Sequence, residues 1–221
     1  KVYAIYNDSS TSMKNIIMEK LDGDMFDVCR NLNLDVDDDC KLFIEMLYQV
    51  SSHLYLLQKY FKFMHNDLKQ NNVLYKLKNK QKPISSDNVI FILTDFGGST
   101  ITFDNEILKG SVKGNDLYYD KAKDIYLLIH MIITYIREDY KKSLLTFLKV
   151  FFDNISLEDC SVANDTWHNL YEKNKYPKEY EPSNLLNKLH VMMTDKDENL
   201  FQFLNEESIN TLNIINNDKI N

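Results

Sequence analysis

The chain has 221 residues, 44% of them hydrophobic, and a formal net charge of −7. That is enough apolar material for one large folded domain, and too acidic a balance for nucleic acid to be the main partner, because phosphate binding needs a basic face. With five Gly and three Pro there are few breaks, so most of the chain should be helical.

Val2 to Asn7 is β-rich and runs into the turn-prone Asp8-Ser9-Ser10; Asn15 to Leu21 is a second strand, and the two form a hairpin. Gly23 breaks the pattern, and Met25 to Leu32 reads as a short helix. The acidic run Asp35–Asp39 suits a helix start, where carboxylates favour the dipole. Residues 40–62 then carry apolar side chains at helical spacing: Leu42, Phe43, Met46, Leu47, Val50, Leu54, Leu57 and Phe61. After a loop at His65–Asn72, Val73-Leu74-Tyr75 is a short strand. Lys76 to Asn88, Lys-rich and holding Pro83, is a solvated loop or hairpin tip. Val89 to Thr94 is a buried strand, and residues 97–118, rich in Gly, Ser and Thr, read as irregular. Helices are expected over Lys121–Arg137 and near 140–154, 183–193 and 197–204, followed by an Asn-rich tail from Asn205 that frays.

Cys29, Cys40 and Cys160 are far apart, odd in number and without metal spacing, so they read as thiols of a reducing compartment, cytoplasmic or nuclear. The longest apolar stretch, Ile125 to Ile136, is too short to span a bilayer and fits a core helix, so no membrane partner is expected. His53 and His130 fall on apolar helical faces and read as packed histidines. Trp167, Tyr171, Tyr176 and Tyr180 read as packing for the late helices. A start at Lys1 rather than Met reads as a fragment, a processed form or part of something longer.

Two segments carry chemistry: His65-Asn66-Asp67-Leu68-Lys69-Gln70-Asn71-Asn72 and, a strand later, Asp95-Phe96-Gly97. Asp67 follows a helix and opens a loop, where its carboxylate can orient an acceptor hydroxyl and take its proton. Lys69 can reach a phosphoryl group. Asn72 and Asp95 offer the few oxygen ligands magnesium needs when phosphates supply the rest. The bland alternative is that Asp67 and Asn72 merely cap helices or turns.

The order and flanking strands of these segments resemble the catalytic and metal-binding loops of the protein kinase superfamily. The resemblance covers roughly residues 2–150. It implies an α+β, mostly α, protein kinase-like fold: residues 1–21 as the end of the small lobe and hinge, 22–204 as the helical C-lobe, 205–221 as a frayed tail. It implies phosphoryl transfer from ATP, with Mg2+, to Ser or Thr of a protein substrate. Asp67 would be the base and Lys69 the phosphate clamp; Asn72 and Asp95 would be the metal ligands; the main chain of Glu19, Lys20 and Leu21 would hold adenine. His65 would pack under the loop and Phe96 behind the metal site, and Asp124 would hold the loop backbone in shape. Lys69 resembles serine/threonine kinases, and small-molecule phosphotransferases usually lack it.

Three departures stand against that pattern. Asn66 replaces the usual arginine that pairs with an activating phosphate, so Ser99, Thr100, Thr102 and Tyr118 read as ordinary loop residues. No Ala-Pro-Glu lies between Asp95 and Asp124, a shortening also found in haspin-like kinases and in divergent kinases of large DNA viruses; a viral source would put the protein in a viral factory or virion. No Gly-rich loop, strand lysine or helix glutamate precedes Asp67, and Lys1 and Lys14 are in the wrong context. The missing small lobe would lie upstream in the same chain or in another chain, and the alternatives are a non-catalytic kinase-like module or a small-molecule kinase.

Overall fold

The computed structural model describes residues 2–8, 13–104, 106–110, 119–152, 155 and 176–194. The expectations placed on Ser9, Ser10, Tyr118, Cys160, Trp167, Tyr171, the helix at 197–204 and the Asn-rich tail lie outside the described residues. What is described is a mixed α+β fold, mostly helical, with small antiparallel sheets.

Strands β1 (Val2–Asp8) and β2 (Met13–Met18) pair antiparallel as expected, but β2 stops at Met18 and leaves Glu19–Leu21 as a connector. A three-stranded sheet follows, in the order β3 (Gly23–Asp24), β4 (Val73–Leu77), β5 (Val89–Leu93). Gly23 leaves room there for the Tyr75 ring of β4, which a Cβ at 23 would meet at 2.7 Å. Asp24 then caps α1 (Met25–Asn31) by accepting the Phe26 N–H at 3.0 Å.

Helix α2 (Asp37–Phe61) carries Asp37, Asp38 and Asp39 in its first turn and ends on Lys62, whose left-handed φ of 44° lets its N–H return to the Gln58 carbonyl. Its apolar stripe is buried from Leu42 through Leu54. Gln49 joins this helix to the open edge of β5. Its Oε1 accepts the Phe91 N–H at 2.8 Å, and its Nε2 donates to Glu45 at 2.6 Å. A side-chain amide thus supplies the acceptor that a further strand would have provided. His53 is exposed, which corrects the expectation of a packed residue: it falls on the side of α2 turned from the core.

The β4–β5 connection is less solvated than its lysines imply. Lys76 pairs with Glu19 and Lys80 with Asp22, while Asn88 folds the loop by donating to Asn79 and Pro83 carbonyls. Asp22 accepts the Leu77 N–H at 2.9 Å, and this bond, followed by Lys80, holds its carboxyl below the usual carboxylate range. A lowered native pKa means its contribution is complete above the unfolded value near ~4 and is lost as pH falls through the lower native value. Asp22→Asn should therefore destabilise the protein at about pH 6, with the gap to wild type narrowing only below about pH 4, toward about pH 2.5. Urea unfolding at the two pH values checks this, and a gap that stays constant would count against a role for the charge.

Residues 100–109 are not irregular. They form a hairpin of β6 (Thr100–Phe103) and β7 (Glu106–Lys109), because Thr-Ile-Thr-Phe has the alternation of a strand and Asp104 takes the left-handed turn position, φ 49°. Helix α3 (Lys123–Tyr135) is the core helix, followed by α4 (Glu138–Leu148) and α5 (Pro182–Thr194). Tyr180 stacks on Phe152 at 4.3 Å between ring centroids and meets Tyr126, which packs on His130 at 4.0 Å. His130 is thus a packed histidine, and Tyr176 and Tyr180 pack the late helices as expected. Cys29 is a buried free thiol, and the Cys40 thiol donates to the Leu34 carbonyl. Among the described residues no helix is long and apolar enough to cross a membrane.

Candidate functional site

The segment between α2 and β4 is held from four sides. His65 and Asn66 donate their backbone N–H groups to the two oxygens of Asp124, at 2.8 and 2.9 Å, and that carboxylate is fully buried in the first turn of α3. Burial pushes the Asp124 carboxyl up, and the two N–H donors oppose this. The buried His65 ring meets the Thr94 carbonyl at 2.8 Å through Nε2. A carbonyl can only accept, so Nε2 donates this bond, while Nδ1 is buried with no hydrogen-bond partner. Gln70 donates to the Met131 carbonyl of α3 at 2.7 Å, and Asn72 accepts the Thr94 N–H at 3.0 Å.

On this frame stand the polar groups. Lys69 Nζ lies 2.9 and 3.2 Å from the two Asp67 carboxylate oxygens, and Asn72 Nδ2 donates to the Asp67 carbonyl at 2.7 Å and to its carboxylate at 3.2 Å. Asp67 remains 51% exposed and Lys69 36%, so a ligand can reach both. With its Nδ2 spent on Asp67, Asn72 has its amide oxygen for a cation. Thr94, bonded to Asn72, places Asp95 at the end of β5 with φ 59°. Gly98 abuts the group from the other side, where an added Cβ would meet Asp67 Cβ at 3.8 Å.

The structure therefore brings Asp67, Lys69 and Asn72 into one hydrogen-bonded group, with Asp95 one residue beyond Thr94. Glu19, Lys20 and Leu21 stand apart on the connector from β2 to β3. Glu19 pairs with Lys76, four residues along β4 from Asn72, or about 13 Å at strand spacing. Lys20 is exposed and Leu21 half-buried. Phe96 is half-exposed, edge-on to Phe63 and tilted against His65. Ser99 and Thr100 are buried, and Ser99 donates to the His65 carbonyl, so they are structural rather than ordinary loop residues.

Two contributors escaped the reading of the sequence. Asn66, at a left-handed φ of 66°, donates to the Gly98 carbonyl at 3.0 Å and accepts from Lys123 Nζ at 3.0 Å. It ties the Asp67 loop to the Asp95 loop and to α3. Asn tolerates this backbone region better than most residues, which was the available signal. Gly110 is the other: a Cβ there would lie 2.0 Å from the Gly97 carbonyl oxygen, so only glycine lets the end of β7 return against Gly97-Gly98.

Among the described residues no cluster of three or more His, Cys, Asp or Glu side chains could hold a metal ion unaided. Asp95 and Asn72 are hard oxygen donors of the kind that share magnesium with phosphates. No protein-family model matches the chain, and no curated protein matches it.

Proposed function

We propose that this chain carries the catalytic and metal-holding part of a protein kinase-like phosphotransferase, which moves the γ-phosphoryl of ATP to a Ser or Thr hydroxyl of a protein. The observation that carries the reading is the group of Asp67, Lys69 and Asn72 beside Asp95, on a loop whose backbone N–H groups end on the buried Asp124. In this reading the fold is mainly a kinase-like C-lobe, with β1–β2 as the edge of a small lobe and Glu19–Leu21 as its hinge.

Each side chain has a task that suits its surroundings. Asp67, half-exposed and fixed by Asn72, orients the acceptor hydroxyl and takes its proton. Lys69 moves its ammonium from Asp67 to the transferred phosphoryl oxygens when these arrive. The Asp95 carboxylate and the Asn72 amide oxygen hold magnesium, which when bound neutralises the phosphate charge. The hydrogen bonds of Asn66 to Gly98 and Lys123 fix the geometry without an activating phosphate. The reading calls for a Gly-rich loop and a strand lysine from beyond these 221 residues.

One observation favours a second reading, a non-catalytic kinase-like module: none of the five glycines precedes Gly23, so these residues hold no Gly-rich loop. The hydrogen-bonded group of Asp67, Lys69 and Asn72 argues against it. The test is a thermal shift with Mg-ATP on this chain and on the longest chain that contains it, since a ligand of the native state must raise its melting temperature. It is paired with phosphoryl transfer from labelled ATP to Ser/Thr peptides and to free hydroxyl metabolites. A shift and peptide labelling with the longer chain are expected. No shift in either chain would leave the non-catalytic module, and labelling of metabolites alone would make it a small-molecule kinase.

A further inference from the structure

The start of α3 grips one residue of the Asp67 loop twice. Asp124 accepts the Asn66 backbone N–H at 2.9 Å, and Lys123, one residue earlier, donates its ammonium to the Asn66 side-chain oxygen at 3.0 Å. Lys123 is only 8% exposed, a place a lysine seldom takes unless it is paired. The Asp124 carboxylate lies close enough to offset its charge. The hydrogen bond to Asn66 gives that charge a direction.

The other end of the Asn66 amide faces the Asp95 loop. Nδ2 donates to the Gly98 carbonyl at 3.0 Å and lies 3.4 Å from the Thr100 hydroxyl oxygen. An ammonium can only donate and a carbonyl can only accept. Both neighbours therefore demand the same orientation of the amide, oxygen to Lys123 and nitrogen to Gly98. Gly98 in turn abuts Asp67, where an added Cβ would meet the Asp67 Cβ at 3.8 Å. Asn66 directly precedes Asp67, and Gly98 lies three residues after Asp95. One amide, aimed by one buried ammonium, thus spans the loop of the base and the loop of the metal ligand.

We propose that Lys123 is a positioning residue for phosphoryl transfer: through the Asn66 amide it holds the Asp95 loop against the Asp67 loop, and so sets the separation of metal ligand and base. Lys123 acts through Asn66 rather than on the substrate. The inference rests on the phosphotransfer reading and adds to it the residue that governs how the two loops meet. Ammonium, amide and main-chain carbonyl join without covalent modification. The contact is therefore made in the unmodified chain, and transfer does not wait for phosphorylation.

The test measures kcat, peptide KM and Mg2+ requirement on the longest chain that contains these residues, before and after phosphatase treatment. Wild type is set beside Lys123→Met, Asn66→Gly and the double variant. Met keeps the lysine stem without its ammonium, and Gly accepts the left-handed backbone at 66 without the amide. Each single change should lower kcat about tenfold and raise the Mg2+ requirement, with peptide KM little changed. Because both act through one contact, the double variant should be no slower than the slower single one. Asn66→Asp can still accept from Lys123 but cannot donate to Gly98, so it should fall with Asn66→Gly. Amide exchange at Ser99, whose N–H returns to the Phe96 carbonyl, should quicken in Lys123→Met. Full kcat in Lys123→Met would overturn the proposal. So would a Lys123→Met loss that is undiminished in the Asn66→Gly background, since the lysine would then act elsewhere. A wild-type rate abolished by phosphatase would overturn the unmodified contact. If Lys123→Met does not fold, the nearly isosteric Asn66→Asp carries the test, and full kcat in it would count against the proposal as well. No transfer by wild type even before phosphatase is a separate result: the phosphotransfer reading fails. Ser99 exchange then decides alone whether Lys123 holds the loop, and an unchanged rate there overturns it.

Discussion

Asp124→Ala should cost about 3–5 kcal/mol of folding stability, the range for removing one partner from a buried, hydrogen-bonded charge. Both carboxylate oxygens accept backbone N–H groups, from His65 at 2.8 Å and Asn66 at 2.9 Å, in a place closed to water. Alanine would strand both donors at about 1–3 kcal/mol each. Against a typical total of about 5–15 kcal/mol this is a large fraction. Asp124→Asn separates the causes: it keeps the volume but turns one oxygen into an NH2 group that faces an N–H. It should rescue little. Urea unfolding measures the loss, and amide hydrogen exchange at His65 and Asn66 locates it. An Asn variant as stable as wild type would show that the two N–H groups do not need both acceptors.

The strands and helices were mostly legible because their signals are local. The stripe from Leu42 to Leu54 has one solution as a helix, and Asp37–Asp39 mark its start. Val89 to Leu93 alternates in burial as a strand with one face in the core. The hairpin at 100–109 was missed because it is short and its Gly- and Ser-rich flanks outweighed four residues of alternation. Asp67, Lys69, Asn72 and Asp95 could be picked out because their spacing is itself the chemistry. What joins them could not. Asn66 to Gly98, Gln70 to Met131, and Gln49 to Phe91 link residues 32, 61 and 42 apart in the chain, and no window of sequence contains both partners. His53 fails for another reason: periodicity names a face, and a residue on its margin can turn either way.

Asp67 should show the opposite signature to Asp124, though the two aspartates serve one loop. In a chain competent for transfer, Asp67→Ala is expected to lower the rate by about 10²–10⁴-fold, the usual share of a general base. It should leave Mg-ATP binding largely intact and cost no more than about 1 kcal/mol of stability. The small stability cost follows from exposure: Asp67 is 51% open, and its pairing with Lys69 is that of a surface ion pair. Its link to Asn72 Nδ2 through the carboxylate is the longer of two, and the 2.7 Å bond to the Asp67 carbonyl survives the substitution. The loop should therefore keep its shape while the proton acceptor is gone. Asp95→Ala provides the contrast, since losing a magnesium ligand should abolish the Mg-dependent part of nucleotide binding. Single-turnover transfer, nucleotide affinity with and without Mg2+, and urea unfolding on the same three proteins separate the roles. Full transfer by Asp67→Ala would sink its assignment as base, and a large stability loss in that variant would make it a structural residue like Asp124.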